Sequence, residues 1–347
     1  MTAEASPQMF ERLARVLECA NENAVLAIEA LCSQSAVIAD GVHQARPNAG
    51  QVQVAETIRR LLGQSQLARL PLEQVPRFVV DRYAPHALGA KMDLVARAFW
   101  CRGADTHLPD RYSVHCTPQI HGALLDQLRR VAPNSAQEIG DRAVAAWPPA
   151  DPEDGQALSA VRRQQSSAVT GIAHLKAAIA AMSSISERRL AKMLDPTQNN
   201  GLPAALVPNP DGKHYGLMIL RYRAAVLVSE LSDLATPVRS SLLPVAEATR
   251  PPETLADDGP EAIDSMCEAL LSVLALERYA AVQALRVRLA MVTRAHCAAT
   301  APAPGEFAQH IINQFNRAGL PPVWDGQNRS HEVETVRRML VVGQPVP

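Results

Sequence analysis

Side chains able to do acid–base, nucleophilic or metal chemistry gather between positions 101 and 121, where Cys101, His107, Asp110, Tyr112, Ser113, His115, Cys116 and His121 stand close together. Cysteine and histidine are zinc ligands, but these spacings match no standard zinc pattern. The plainer reading is cysteines packed in a core and histidines on loops, and no metal is expected. Ser113 lies near His115, yet sequence neighbours rarely form a nucleophile–base pair. Tyr112 is more informative. With Asp110 and His115 it stands just ahead of a helix that Thr117-Pro118 would open, near that helix's positive end. Such a place can hold an anion or tune a phenol; the alternative is a tyrosine whose hydroxyl is bonded to backbone. Two further groups carry charge at telling places. Glu187-Arg188-Arg189 lies near the end of a long helical stretch, as a solvated cluster or an inter-helix salt bridge. Glu261 opens another, where the helix dipole favours a carboxylate.

The elements that must position these groups are helical. Phe10, Leu13, Leu17, Ala20, Ala24, Ala27, Ile28 and Leu31 fall at steps of three and four, one apolar face of a helix over about 10–32. A turn is expected near Asp40-Gly41 and a helix from Gln51 to Leu62. Residues 66–110 are punctuated by prolines, with a short helical piece around Lys91 to Trp100. Thr117 to Val131 reads as helix, and 133–155 as a proline-rich loop or hinge. The longest element runs from about Ala157 to Leu194, and Tyr215–Ala235 and Glu261–His296 are two more long helices. A shorter apolar region at 307–315 and a mixed tail follow. The fold class is therefore all-α, a bundle of long helices.

Composition agrees. Of 347 residues, 47% are hydrophobic and only 4% aromatic, and 34 basic residues balance 35 acidic ones for a net charge of −1. That supports a real core and offers no basic stripe, so a nucleic-acid binder is not expected. The start lacks a secretory signal and no apolar run is long enough for a membrane span. Six scattered cysteines without a CxxC pair suit a reduced, cytoplasmic protein. There is no GxGxxG, P-loop, HExxH or GxSxG, which leaves dinucleotide, nucleotide and common hydrolase readings without support.

The segment 110–123, Asp-Arg-Tyr-Ser-Val-His-Cys-Thr-Pro-Gln-Ile-His-Gly-Ala, resembles the QDxYSxRCxPQxxGA motif of the histidine and phenylalanine ammonia-lyase family. Further blocks agree in order. LAIEALCSQSAVIADGVHQARPNAGQ (26–51) resembles the family's helix and the turn after it. ISERRLAKMLDP (185–196) resembles its SERR helix, and YGLMILRYRAAVLVSE (215–230) its SGxMxxQxxAAxxxE helix. Pro260-Glu261-Ala262-Ile263-Asp264-Ser265-Met266 stands at its QEDxxSM block. The resemblance covers roughly residues 10–300. It implies an ammonia-lyase-like bundle with a fumarase/aspartase-like helical core over 1–300, and a C-terminal helical extension over 301–347.

The resemblance also implies chemistry. Family members carry an N-terminal domain whose Ala-Ser-Gly tripeptide cyclises into methylidene-imidazolone (MIO), the electrophile that makes ammonia a leaving group. No Ala-Ser-Gly occurs in this sequence, so no cofactor is expected in this chain, and MIO is expected in a partner subunit. Tyr112 matches the motif tyrosine and Glu261 the motif carboxylate, which makes them the candidate catalytic residues. The carboxylate-binding arginine of the motif falls on His115, its glutamine on Pro109, and the glutamine of the SGxMxxQ helix on Arg221. His115, Arg111 and Arg221 are the candidate substrate-binding residues. Arginine is a permanent bidentate clamp, whereas histidine is mostly neutral at pH 7. The substrate expected is thus a small-molecule amino acid or a carrier-bound or otherwise masked amino acid derivative. Three functions fit: one subunit of a split, tetramer-like homo- or hetero-oligomeric MIO lyase or aminomutase, inactive alone; an inactive structural or regulatory paralogue; or an MIO-independent acid–base enzyme on the same scaffold.

Overall fold

Leu13, Leu17, Ala20, Ala24, Ala27 and Leu31 are all buried, and their three- and four-residue steps make one face of helix α1 (Pro7–Ala30) and the residue after it. The computed structural model describes residues 7–33, 38–45, 47–71, 74–78, 98–99, 112–144, 155–207, 215–236, 260–296, 301–323 and 329–342. Within them the order is α1, α2 (Asp40–Gln44), α3 (Ala49–Leu62), β1 (Arg77–Phe78), β2 (Ala98–Phe99), α4 (Tyr112–His115), α5 (Thr117–Val144), α6 (Gly155–Leu194), α7 (Met218–Ala235), α8 (Pro260–His296), α9 (Glu306–Arg317) and α10 (Ser330–Val342). The all-α expectation holds, with the long helices close to their expected bounds.

Three local expectations differ. Asp40-Gly41 opens the short helix α2 instead of a turn. Helix α5 runs on through Pro133 to Val144, where a loop was expected. Proline removes one helix hydrogen bond but holds φ in the helical range, so by itself it need not end a helix. Ala98–Phe99, expected within a helical piece, is a strand paired antiparallel with Arg77–Phe78; the rest of 91–100 lies outside the described residues. The partner explains the change: the Phe78 N–H also donates to the Gly201 carbonyl at 2.6 Å, so neighbouring chain supplies bonds that a local helix would otherwise supply.

Helix α8 is the bundle's axis. Leu270, Val273, Leu274, Ala275, Leu276, Ala280, Val282 and Leu285 point in every direction around it, and all are buried. A helix apolar all round must be covered all round; α1, α6, α7 and α10 pack against it. Helices α6 and α8 run in the same direction. Arg189 meets Glu277, and further along both chains Asn199 and Asn200 meet Arg288. Helix α7 returns between them. Arg288 is fully buried and pairs with no carboxylate among the described residues. It donates to the carbonyls of Ala30, Pro76, Asn199 and Asn200 at 2.9–3.1 Å, tying the end of α1 and two loops to one end of the bundle.

Helix α3 packs across α5 at two glycines. A Cβ on Gly50 would overlap the Gly122 carbonyl oxygen, and one on Gly122 would lie 2.6 Å from Gln51 Cα. The backbones can meet only because both side chains are absent. The Gly50 N–H donates to Asp126 at 3.0 Å, and Asn48 caps α3 by accepting from the Gln51 N–H at 3.3 Å. The C-terminal helices join the same core. Glu29 of α1 accepts from the Gly305 N–H at the head of α9 at 3.0 Å, and Arg15 donates to the Leu340 carbonyl of α10 at 3.1 Å. No helix among the described residues is long and apolar enough to cross a membrane.

Candidate functional site

Helix α4 is a single turn that leads directly into α5. The Cys116 N–H donates to the Tyr112 carbonyl at 2.9 Å and the Ile120 N–H to the Cys116 carbonyl at 3.1 Å. The Thr117 hydroxyl donates to the Ser113 carbonyl at 3.1 Å, and Pro118 occupies the first turn of α5, where its missing N–H costs nothing. Ser113 and Val114 are buried, His115 and Cys116 half-buried, and Tyr112 is 57% exposed. The corner thus turns its odd-numbered hydroxyls, Ser113 and Thr117, into the bundle and keeps Tyr112 at its surface.

Beneath this corner lies a buried polar network that draws on five helices, α1, α4, α5, α6 and α8. Arg189 of α6 is fully buried and forms a two-pronged pair with Glu277 of α8, Nε to Oε1 at 2.6 Å and the second terminal nitrogen to Oε2 at 3.3 Å. Its remaining terminal nitrogen donates to Thr117 Oγ1 at 3.1 Å and to the Ser113 carbonyl at 3.4 Å. The Ser186 hydroxyl also donates to Glu277, as does the Asn23 amide of α1 at 3.2 Å. Arg278 donates to Asn23 Oδ1 at 2.6 Å and pairs with Glu22. A buried ion pair survives desolvation only when its remaining lone pairs and protons are bonded, and here the Glu277 carboxylate accepts from three side chains. Nearby, His121 of α5 bonds Asn21 of α1 at 2.7 Å. Burial and the Arg189 charge hold its imidazole well below the ordinary range, so it is neutral.

The expected site residues divide into groups. Tyr112 and His115 share α4. Arg221 lies in the first turn of α7 beside Asp195. Burial raises that carboxyl, but hydrogen bonds from Thr197 and Gln198 and the Arg221 charge outweigh it and hold the group below its usual range. Glu261 is exposed in the first turn of α8. Sixteen residues separate it from Glu277, a rise of ~24 Å, and Glu277 is at the level of the α4 corner. One copy of the chain therefore brings Tyr112 and His115 together and leaves Glu261 and Arg221 at other levels of the bundle. Arg111, Asp110, Pro109, Cys101 and His107 lie outside the described residues. Among the described residues no three of His, Cys, Asp and Glu converge as metal ligands.

The sequence offered the cluster holding Arg189 as solvated or as an inter-helix salt bridge; at Arg189 it is the second, with Glu277, which sequence reasoning passed over. A signal was present: Leu270, Leu274, Glu277, Ala281 and Ala284 form one helical row, all buried, and a carboxylate in such a row requires a buried partner. Of the neighbours in the cluster, Glu187 and Arg188 pair with each other at 2.6 Å, Arg188 largely in solvent.

Comparison with known proteins agrees with this architecture. The aromatic amino acid lyase family model matches residues 1–309. The chain is 31% identical over 265 residues to histidine ammonia-lyase of Geobacillus kaustophilus, which covers 76% of this chain and 45% of the relative. It is thus similar to about half the length of the curated relatives it matches. In structure it resembles tyrosine aminomutase from Streptomyces globisporus, with a TM-score of 0.66, 19% identity and coverage of 96% of this chain and 59% of that one. Histidine ammonia-lyase from Trypanosoma cruzi gives a TM-score of 0.66 at 18% identity, covering 97% of this chain and 54% of that one. These two share its fold. The match over most of its length, with the helical order and the motif residues described above, makes this chain a member of the aromatic amino acid lyase family.

Proposed function

We propose that this chain is one component of a composite lyase or aminomutase, supplying the helical bundle and part of an active site to a second, MIO-bearing subunit. The observation that carries the reading is the separation of its own candidate groups. Tyr112 stands over the Arg189–Glu277 pair, while Glu261 lies sixteen residues before Glu277 on α8, a rise of about 24 Å, which favours a site that draws the two groups from different chains. The residues present here do not fit the MIO group's own requirement, since the 347 residues contain no Ala-Ser-Gly to form it. No step is assigned to the group. This chain's residues would act around it: Tyr112 as an acid or base at the amine-bearing substrate, Glu261 shaping the amine site of a neighbouring copy, and His115, Arg111 and Arg221 contacting the substrate's acid end. With His115 where the family motif has arginine, the substrate class is an amino acid whose carboxyl is masked as an ester, amide or carrier thioester, or one clamped by the partner.

The same His115, with Pro109 at the motif's glutamine position, favours a second reading, an inactive paralogue that stabilises an active homologue. Ammonia release separates the two. The chain is co-expressed with an Ala-Ser-Gly-bearing family member from the same genome, and the purified complex is assayed on amino acids and their esters. The composite reading expects release by the complex and none by this chain alone. Tyr112→Phe should lower the rate roughly 10²-fold or more, the usual scale for a positioned proton-transfer group. A complex that forms but gives unchanged turnover with Tyr112→Phe removes the catalytic assignment and leaves the paralogue reading.

A further inference from the structure

We propose that Arg189 is a positioning residue for Tyr112: anchored on Glu277, it sets where the α4 corner stands on the bundle. The inference deepens the proposed function and rests on it for its relevance to catalysis. Its physical content stands on geometry alone. The guanidinium has no freedom of its own, because it is fully buried and two of its nitrogens are committed to Glu277. The third reaches the Ser113 carbonyl and the Thr117 hydroxyl, and the Thr117 hydroxyl itself donates to that same carbonyl. Ser113 follows Tyr112 directly, and the Tyr112 carbonyl is closed by the Cys116 N–H. The backbone that follows the exposed tyrosine is therefore referenced to a charge pair in the bundle's centre.

The planar guanidinium suits this task. It holds a carboxylate with two parallel bonds and still has donors left in a fixed direction. A lysine could satisfy Glu277 but could not span carboxylate, hydroxyl and carbonyl in one plane. Ser186 and Asn23 brace the carboxylate from α6 and α1, so the reference point does not rotate when α4 is loaded. The corner is one helical turn whose first residue is exposed and whose Val114 packs into the core. The SERR segment thereby gains a physical account: its first and last residues, Ser186 and Arg189, both address Glu277, while Arg188, largely in solvent, pairs with Glu187.

The test uses the full chain with 3-fluorotyrosine incorporated and the residue-112 resonance assigned by Tyr112→Phe. Thr117→Val removes the bridging hydroxyl and little else. Arg189→Met with Glu277→Leu removes both charges together and keeps the volume. In each, the expected result is a shifted or broadened fluorine resonance at 112 and tenfold or faster amide exchange at Cys116, with exchange across 270–285 of α8 unchanged. Arg189→Lys, which keeps the charge but not the fork, should show the same displacement. An unmoved resonance and unchanged Cys116 exchange in a folded Thr117→Val chain overturn the proposal, whether or not the double variant folds. None of these readouts needs turnover. An inactive complex with a displaced resonance counts against the proposed function and leaves the positioning role standing; an active complex with an unmoved resonance does the reverse.

Discussion

At the scale of single residues, the molecule's charges are held by burial. Removing one partner of the Arg189–Glu277 pair leaves an uncompensated charge in the core. Arg189→Met alone should therefore cost ~3–5 kcal/mol in urea unfolding, and adding Glu277→Leu should recover most of it. A second buried carboxylate gives a pH dependence. Burial pushes the Glu29 carboxyl up to about 7, against the pull of the Gly305 N–H and the Ser65 hydroxyl. A raised folded value means that the protonated form is the one the fold favours. That stability is fully present below the ordinary glutamate value and is lost as pH rises through about 7. Melting temperature should fall between pH 5 and pH 8, and Glu29→Gln, which cannot ionise, should flatten that slope. A slope unchanged in the variant would show that other groups cause it. Neither Glu277 nor Glu29 stood out in the sequence as a partner of anything. Periodicity shows that 277 faces inward, but the identity of the group across from it depends on how α6 and α8 are aligned, which no local pattern encodes.

At the scale of elements, the long helices were legible because their apolar rows run uninterrupted for many turns, as in α1, α6 and α8. The short pieces were not. Helix α2 has five residues and α4 has four, too few for any period to register, and β1 and β2 are strands only because each finds the other. The crossing of α3 and α5 shows the same limit. Gly50 and Gly122 are ordinary letters in two separate motifs until the fold lays one on the other. Gly122→Ala should force the two backbones apart and cost about 1–3 kcal/mol or more by thermal melting, whereas Gly41→Ala, with open space around it, should cost little. A cost for Gly122→Ala no greater than that for Gly41→Ala would mean that the two helices do not meet there.

At the scale of the whole molecule, α7 presents a surface the single chain does not use. Leu220, Ala224 and Leu231 face the bundle, while Ile219, Tyr222 and Val226 are exposed on the opposite side at steps of three and four, with Tyr215 exposed just ahead of the helix. That spacing matches a helix–helix seam, which the proposed composite would fill with a second family subunit. Ile219→Glu with Tyr222→Glu should lower the native mass and leave the melting temperature of the remaining chain nearly unchanged, since neither side chain supports the internal core. The seam and the separated candidate residues support the proposal that the working site is assembled from more than one chain. Native mass spectrometry tests it most directly, on this chain co-expressed with an Ala-Ser-Gly-bearing family member from the same genome. The account predicts a stable hetero-oligomer containing both chains. Recovery of the two chains only as separate species, each unmixed with the other, would contradict it.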